Sequence, residues 1–242
     1  MKLPDFKAFL VAALIAAGGC SEQQDVVTIP APHTPIANAP AAAAKPVPAA
    51  RASVPVGSGF DFYVLALSWS PAYCELEGRG ADPEQCKAAK PFRFIVHGLW
   101  PQFERGYPQD CGGGEFPSRD DIRSVTDLTP SPGLLRYEWE KHGSCSGLSP
   151  QDYYAVMRLA REKVAIPAQF NSSQGFALAP QQVETAFARA NPGLQSTAMA
   201  TICEDGLLTE VRICFTKSLE FRACPEVDRR TCRARSVTID TP

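Results

Sequence analysis

Phe60-Asp61-Phe62-Tyr63-Val64-Leu65-Ala66-Leu67-Ser68-Trp69 is the stretch on which the fold turns. Its run of aromatic and apolar side chains predicts a strand, and Ser70-Pro71 ends it. Downstream, Phe92-Arg93-Phe94-Ile95-Val96 alternates in part and reads as a second, central strand. A third is expected over Leu207 to Phe215, where Val211, Ile213 and Phe215 alternate after a turn at Asp205-Gly206. Helices fall between them. Ser131 to His142 starts with Pro132 at a first helical position. Pro150 to Val164 places Tyr154, Met157 and Val164 at roughly helical spacing, and Pro180 to Ala190 ends at Asn191-Pro192-Gly193. No repeating βαβ rhythm and no internal repeat is present, so the expected class is α+β, an antiparallel sheet flanked by helices.

Upstream the composition changes. The folded domain is expected over residues 59–242. Residues 20–58 are rich in Ala and Pro, cannot bury enough surface to offset their ordering entropy, and read as a stiff spacer. Residues 1–19 carry Lys2 and Lys7, then an apolar run from Phe9 to Ala17, then small residues before Cys20. That is the pattern of an export signal, too short to span a bilayer as a helix. Cys20 stands where bacterial lipoprotein signals carry the cysteine that becomes lipidated. The expected location is therefore outside the cytoplasm: periplasmic or held at the outer membrane through Cys20, or secreted.

Nine cysteines support an oxidising compartment. Setting Cys20 aside leaves Cys74, Cys86, Cys111, Cys145, Cys203, Cys214, Cys224 and Cys232, which read as four disulfides among about 105 possible pairings. A net charge of -2 excludes a protein that holds nucleic acid by bulk positive charge. Only three histidines exist, and His33 lies in the spacer, leaving His97 and His142.

Two segments gather chemistry. In Phe94-Ile95-Val96-His97-Gly98-Leu99-Trp100-Pro101-Gln102 a strand delivers a histidine into a turn that Gly98 permits, with Trp100 and Pro101 in a following loop. By itself such a histidine is more often a satisfied structural group. In Tyr137-Glu138-Trp139-Glu140-Lys141-His142-Gly143-Ser144-Cys145, Glu138, Lys141 and His142 stand at i, i+3 and i+4, so a carboxylate, an ammonium and an imidazole share one helix face. A solvated face with an ion pair gives the same spacing.

Together these segments resemble the two active-site motifs of the ribonuclease T2 family. His97-Gly98-Leu99-Trp100-Pro101 is similar to the first and Glu138-Trp139-Glu140-Lys141-His142-Gly143-Ser144-Cys145 to the second. Phe62 to Cys74 resembles the family's opening strand and first bridged cysteine, and the likeness extends over about residues 60 to 235. It implies an endoribonuclease acting on single-stranded RNA without a metal or other cofactor, and working as a monomer. His142 would be base and His97 acid in the first step, by analogy, with Glu138 and Lys141 stabilising charge. Bridges Cys74–Cys86, Cys111–Cys145, Cys203–Cys232 and Cys214–Cys224 are implied. The chain departs from the family at Tyr137, where a histidine that meets phosphate often stands, and at Gln102, where some members carry an acidic base-contacting residue. Trp100 offers a face on which a base can stack.

Three other readings compete. Gly143-Ser144-Cys145-Ser146-Gly147 fits a nucleophile elbow with Cys145 at its centre. His142 and Cys145 have a spacing that zinc ligands use. A binding module without activity would share the fold.

Overall fold

The computed structural model describes residues 53–112 and 114–241. The spacer, His33, Cys20 and the export signal lie outside the described residues, apart from the spacer's last six. Parts of those six touch the domain that follows. Val54 packs on the main core, the Ser58 N–H donates to Ser146 O at 2.9 Å, and Gly57 fits so closely that a Cβ would press on Ser146, Phe60 and Tyr63.

In chain order the elements are β1 Phe62–Trp69, α1 Ser70–Glu77, α2 Pro83–Cys86, β2 Phe94–Gln102, α3 Arg119–Arg123, α4 Pro132–Lys141, α5 Pro150–Glu162, β3 Phe176–Leu178, α6 Pro180–Ala190, β4 Met199–Glu204, β5 Leu207–Phe215, α7 Pro225–Asp228 and β6 Val237–Ile239. They form one six-stranded sheet ordered β2-β1-β5-β6-β3, with β4 on the free side of β5. The expected α+β class holds. The sheet is mixed rather than wholly antiparallel, because β6 meets β5 in parallel at one pair, Leu207 and Thr238.

Every residue of β1 is buried, because both faces of the sheet are covered there. Tyr63, Leu65, Leu67 and Trp69 face the main core with Val96, Leu99, Trp139, Tyr153, Tyr154, Val211 and Ile213. Phe62 and Val64 face a smaller apolar cluster with Ala200, Cys214, Cys224 and Val227, against which Trp100 packs. Burying an aromatic such as Trp139 contributes enough that its truncation would cost about 3–5 kcal/mol. Four bridges join Cys74 to Cys86, Cys111 to Cys145, Cys203 to Cys232 and Cys214 to Cys224, the pairing that the family resemblance implied.

Candidate active site

The strand that carries His97 does not end there, as the sequence reading has it. β2 runs on through Gly98, Trp100 and Pro101 to Gln102, paired with β1 all the way. The turn and the loop expected at Gly98 and Trp100 are absent because β1 supplies a partner along the whole stretch. Pro101, which has no N–H to give, is tolerated because β2 lies at the sheet's end with β1 as its one strand partner. What happens at His97 is a β-bulge. Ala66 faces Gly98 and Leu67 faces Val96, so His97 is the extra residue. The added residue shifts the two-residue period by one. Leu99 and Val96 both reach the main core, and the imidazole is left to the opposite face.

Gly98 matters for closeness rather than for a turn. A Cβ there would collide with the Glu138 carboxylate and the Trp100 indole nitrogen. Glu138 comes from α4, whose start is capped by Ser131, the acceptor for Leu134 N at 3.1 Å. Trp139 anchors the helix in the core, and its neighbour Glu138 is buried against β2. Glu138 Oε2 accepts from Trp100 Nε1 at 2.5 Å, and Oε1 stands 3.5 Å from His97 Nε2.

His142 closes α4. Its φ of −125° leaves helical geometry, while its N–H still donates to Glu138 O at 2.9 Å. The face predicted from i, i+3 and i+4 spacing is therefore split. His142 turns onto Trp100, with ring centroids 5.4 Å apart, and onto Tyr107 at 6.1 Å. Lys141 stays exposed and donates from Nζ to Tyr137 Oη at 3.0 Å, although its charge still acts on Glu138 and His142. His97 also meets Trp100, edge to face at 5.4 Å. One indole thus walls both imidazoles.

The two rings are driven in opposite directions. Burial lowers the pKa of His142 to about 4, helped by the positive charges of Lys141 and His97. Its Nδ1 is buried with no hydrogen-bond partner among the described residues, so nothing compensates a charge there. Burial presses His97 the same way, but the hydrogen bond and charge of Glu210 and the charge of Glu138 outweigh it and raise its pKa above 6.5. A third of the His97 side chain stays open to a ligand. Glu138 is raised by burial, against the pull of His97 and Trp100.

Glu210, Arg212 and Tyr107 complete the site, and the two motifs do not contain them. Glu210 binds His97 Nδ1 through Oε1 and accepts from Arg212 Nε at 2.8 Å and Nη2 at 2.7 Å through Oε2. Arg212 lies over the Trp100 ring at 5.0 Å. His97, Glu210, Arg212, Trp100 and Glu138 therefore form a closed ring of contacts. A signal for two of them exists in sequence: Glu210 and Arg212 stand two apart in an otherwise largely apolar strand, which puts both charges on one face. Tyr107 gives no such signal; it sits in the loop that Cys111–Cys145 and the bond from Asp110 N to Lys141 O, 2.8 Å, pull onto the end of α4.

The base-contact candidates are less gathered. Gln102 turns its amide to Pro101 O at 2.9 Å. Tyr137 is half exposed with its hydroxyl taken by Lys141. Trp100, expected as an open stacking face, is flanked by both histidines and Arg212 and gives its N–H to Glu138. Beside His97 lie a groove of about 370 Å³, bordered by Tyr73, Glu77, Ile202 and Thr209, and a smaller one of about 100 Å³ against Ile95, Ser131 and Leu134. The Cys145 sulfur is bonded to Cys111, which removes both the nucleophile-elbow and the zinc-ligand readings.

Fold and site define a class: a disulfide-bonded α+β domain in which two histidines of opposite charge preference flank one indole. The chain belongs to the Ribonuclease T2 family, whose profile matches residues 60–224. It is similar to a ribonuclease of Aeromonas hydrophila, 41% identical over 114 residues that cover 47% of this chain and 51% of that protein. The chain thus spans about half the length of that relative. Ribonuclease DdI of Dictyostelium discoideum is 28% identical over 200 residues, 72% of this chain and 82% of that one. Among solved structures, the fold resembles an RNase-related protein from Calystegia sepium (TM-score 0.62, 22% identity, covering 76% of this chain and 98% of that one). It equally resembles RNase NT in complex with 5′-AMP (TM-score 0.62, 23% identity, 76% and 99% covered).

Proposed function

We propose that the domain is an endoribonuclease that cleaves single-stranded RNA through the RNA's own 2′-hydroxyl. The observation that carries this reading is the pair of histidines against one indole, one favouring the neutral form and the other the charged form. His142, neutral above about pH 4, takes the 2′-hydroxyl proton as the 2′-oxygen attacks phosphorus. His97, protonated, gives its Nε2 proton to the 5′-oxygen as the P–O5′ bond breaks. A 2′,3′-cyclic phosphate results. Water then attacks it with the roles exchanged, leaving a 3′-phosphate. Lys141 adds positive charge at the mouth of the cleft, where a phosphorane gathers negative charge. Glu138 faces the proton that His97 delivers and steadies the ring through its own bond to Trp100. The leaving nucleoside would lie along the grooves beside His97, and Trp100, Tyr107, Gln102 and Tyr137 would meet the base or phosphate on the His142 side.

The protons move between side chains and substrate, so no metal and no other cofactor has a step. Digestion of a defined RNA with chelator present tests this. Cyclic or 3′-phosphate ends, with DNA left intact for want of a 2′-hydroxyl, are the expected products. Cleaved DNA, or activity lost to the chelator, overturns the mechanism.

Four disulfides suit an oxidising compartment. Residues 1–19 then act as export signal, Cys20 carries the lipid and residues 20–58 hold the monomeric domain away from the membrane. Cys20→Ser should release the protein from membrane fractions at unchanged specific activity; unchanged partitioning sinks the anchor alone.

A further inference from the structure

The geometry points to Glu210, clamped by Arg212, as the residue that positions and charges His97, a role that rests on the ribonuclease reading above. Neighbouring strands lie about 4.8 Å apart, so β2 and β5 stand about twice that apart with β1 between them. Only small side chains on β1 let a bond cross it. Ala66 and Ser68 are the β1 residues opposite Arg212 and Glu210, and over them His97 reaches Glu210 on the far strand.

The division of the ring's two nitrogens follows. Glu210 takes Nδ1. Nε2 is left facing Glu138 at 3.5 Å, free of the Glu210 bond. Titratable and charged groups face His97 from every element around it: Tyr73 and Glu77 on α1, Asp82 beside α2, Glu138 on α4, His142 after it, Glu204 and Asp205 at the β4–β5 turn, and Glu210 and Arg212 on β5. Of the carboxylates among the described residues, only Glu210 and Glu138 stand within ion-pair distance. Glu138 has an oxygen committed to Trp100 and lies on the substrate's side. Glu210 is therefore the one anchor that remains in place while the proton is being given away.

Arg212 keeps that anchor ionised. Two guanidinium nitrogens hold Glu210 Oε2, and the guanidinium itself is held over Trp100. Burial would raise the Glu210 carboxyl, but His97 and Arg212 bring it down to about 2, so it does not take the ring's proton.

The test is Glu210→Gln, which keeps the shape and removes the charge. Proton NMR titration follows His97, assigned among the three histidines with His33 and His142 variants. The His97 midpoint should fall by a unit or more, about tenfold weaker proton binding. The alkaline limb of the kcat/KM profile should move down with it while the acid limb stays. An unmoved midpoint and limb overturn the proposal, including the case where only the melting temperature drops. In wild-type protein, His97 must carry a protected Nδ1–H throughout about pH 5 to 8. Absence of that resonance overturns the proposal even if the variant fails to fold. The titration needs no RNA, so failure to cleave RNA and failure of this role are read separately.

Discussion

A pair of imidazoles against one indole would set the acidity at which the proposed chemistry runs. Under the proposed mechanism His142 must be neutral, which holds above about pH 4, and His97 must be protonated, which holds up to a pKa raised beyond 6.5. The kcat/KM profile should therefore rise through about pH 4 and fall on the alkaline side of pH 6.5. His142→Ala should lose the acid limb and His97→Ala the alkaline limb, each with about 10²–10⁴ in rate. The double variant should lose little more, since both groups act on one transition state. His33→Ala should change nothing. Stability follows the same shifts. The neutral preference of His142 stabilises the fold above 6.5, and that contribution is lost as pH falls toward about 4. The charged preference of His97 stabilises the fold below 6.5 and is lost as pH rises through its raised value. At Gly98 the expectation is sharper. Alanine in a strand should gain about 0.5–1 kcal/mol from the backbone, yet its Cβ would strike Glu138 and Trp100. Gly98→Ala should lose at least tenfold in kcat with the melting temperature nearly kept. Wild-type turnover in that variant would mean Glu138 has no part in the chemistry.

At the scale of elements, the proposed chemistry depends on the end of α4, and a bridge holds it. Cys111–Cys145 closes a loop of sequence separation 34 and brings the Tyr107 segment onto His142. Replacing both cysteines by alanine should cost about 2–4 kcal/mol and reduce kcat, because the ring of His142 loses its wall. The matching control is Cys203–Cys232, of separation 29, which ties β4 to the segment after α7. Its removal should cost similar stability, by urea unfolding, and spare kcat. Local pattern carried most of these elements. α6 and β5 have the bounds the sequence predicts, Pro180–Ala190 and Leu207–Phe215, since proline starts the one and a turn starts the other. β2 outran its prediction because Gly98 and Pro101 are strand breakers in isolation, and only the pairing with β1 overrides them.

Across the whole molecule, what local pattern could not carry is what joins distant segments. His97 and Glu210 are 113 residues apart, and nothing in either neighbourhood names the other. The motifs at 97 and 138–142 were legible because they sit in short, dense runs; the carboxylate and guanidinium behind them come into view only when β1 separates β2 from β5. The bulge that frees His97 has a second consequence, for how copies of the chain behave toward one another. An exposed strand edge is a template on which another chain can add itself. β2 is such an edge, but its ladder is broken at residue 97, Pro101 offers no N–H, and the Val96 N–H is already spent on Leu128 O at 2.9 Å. The irregularity that aims the imidazole thereby denies a neighbouring molecule a regular ladder on which to pair along β2.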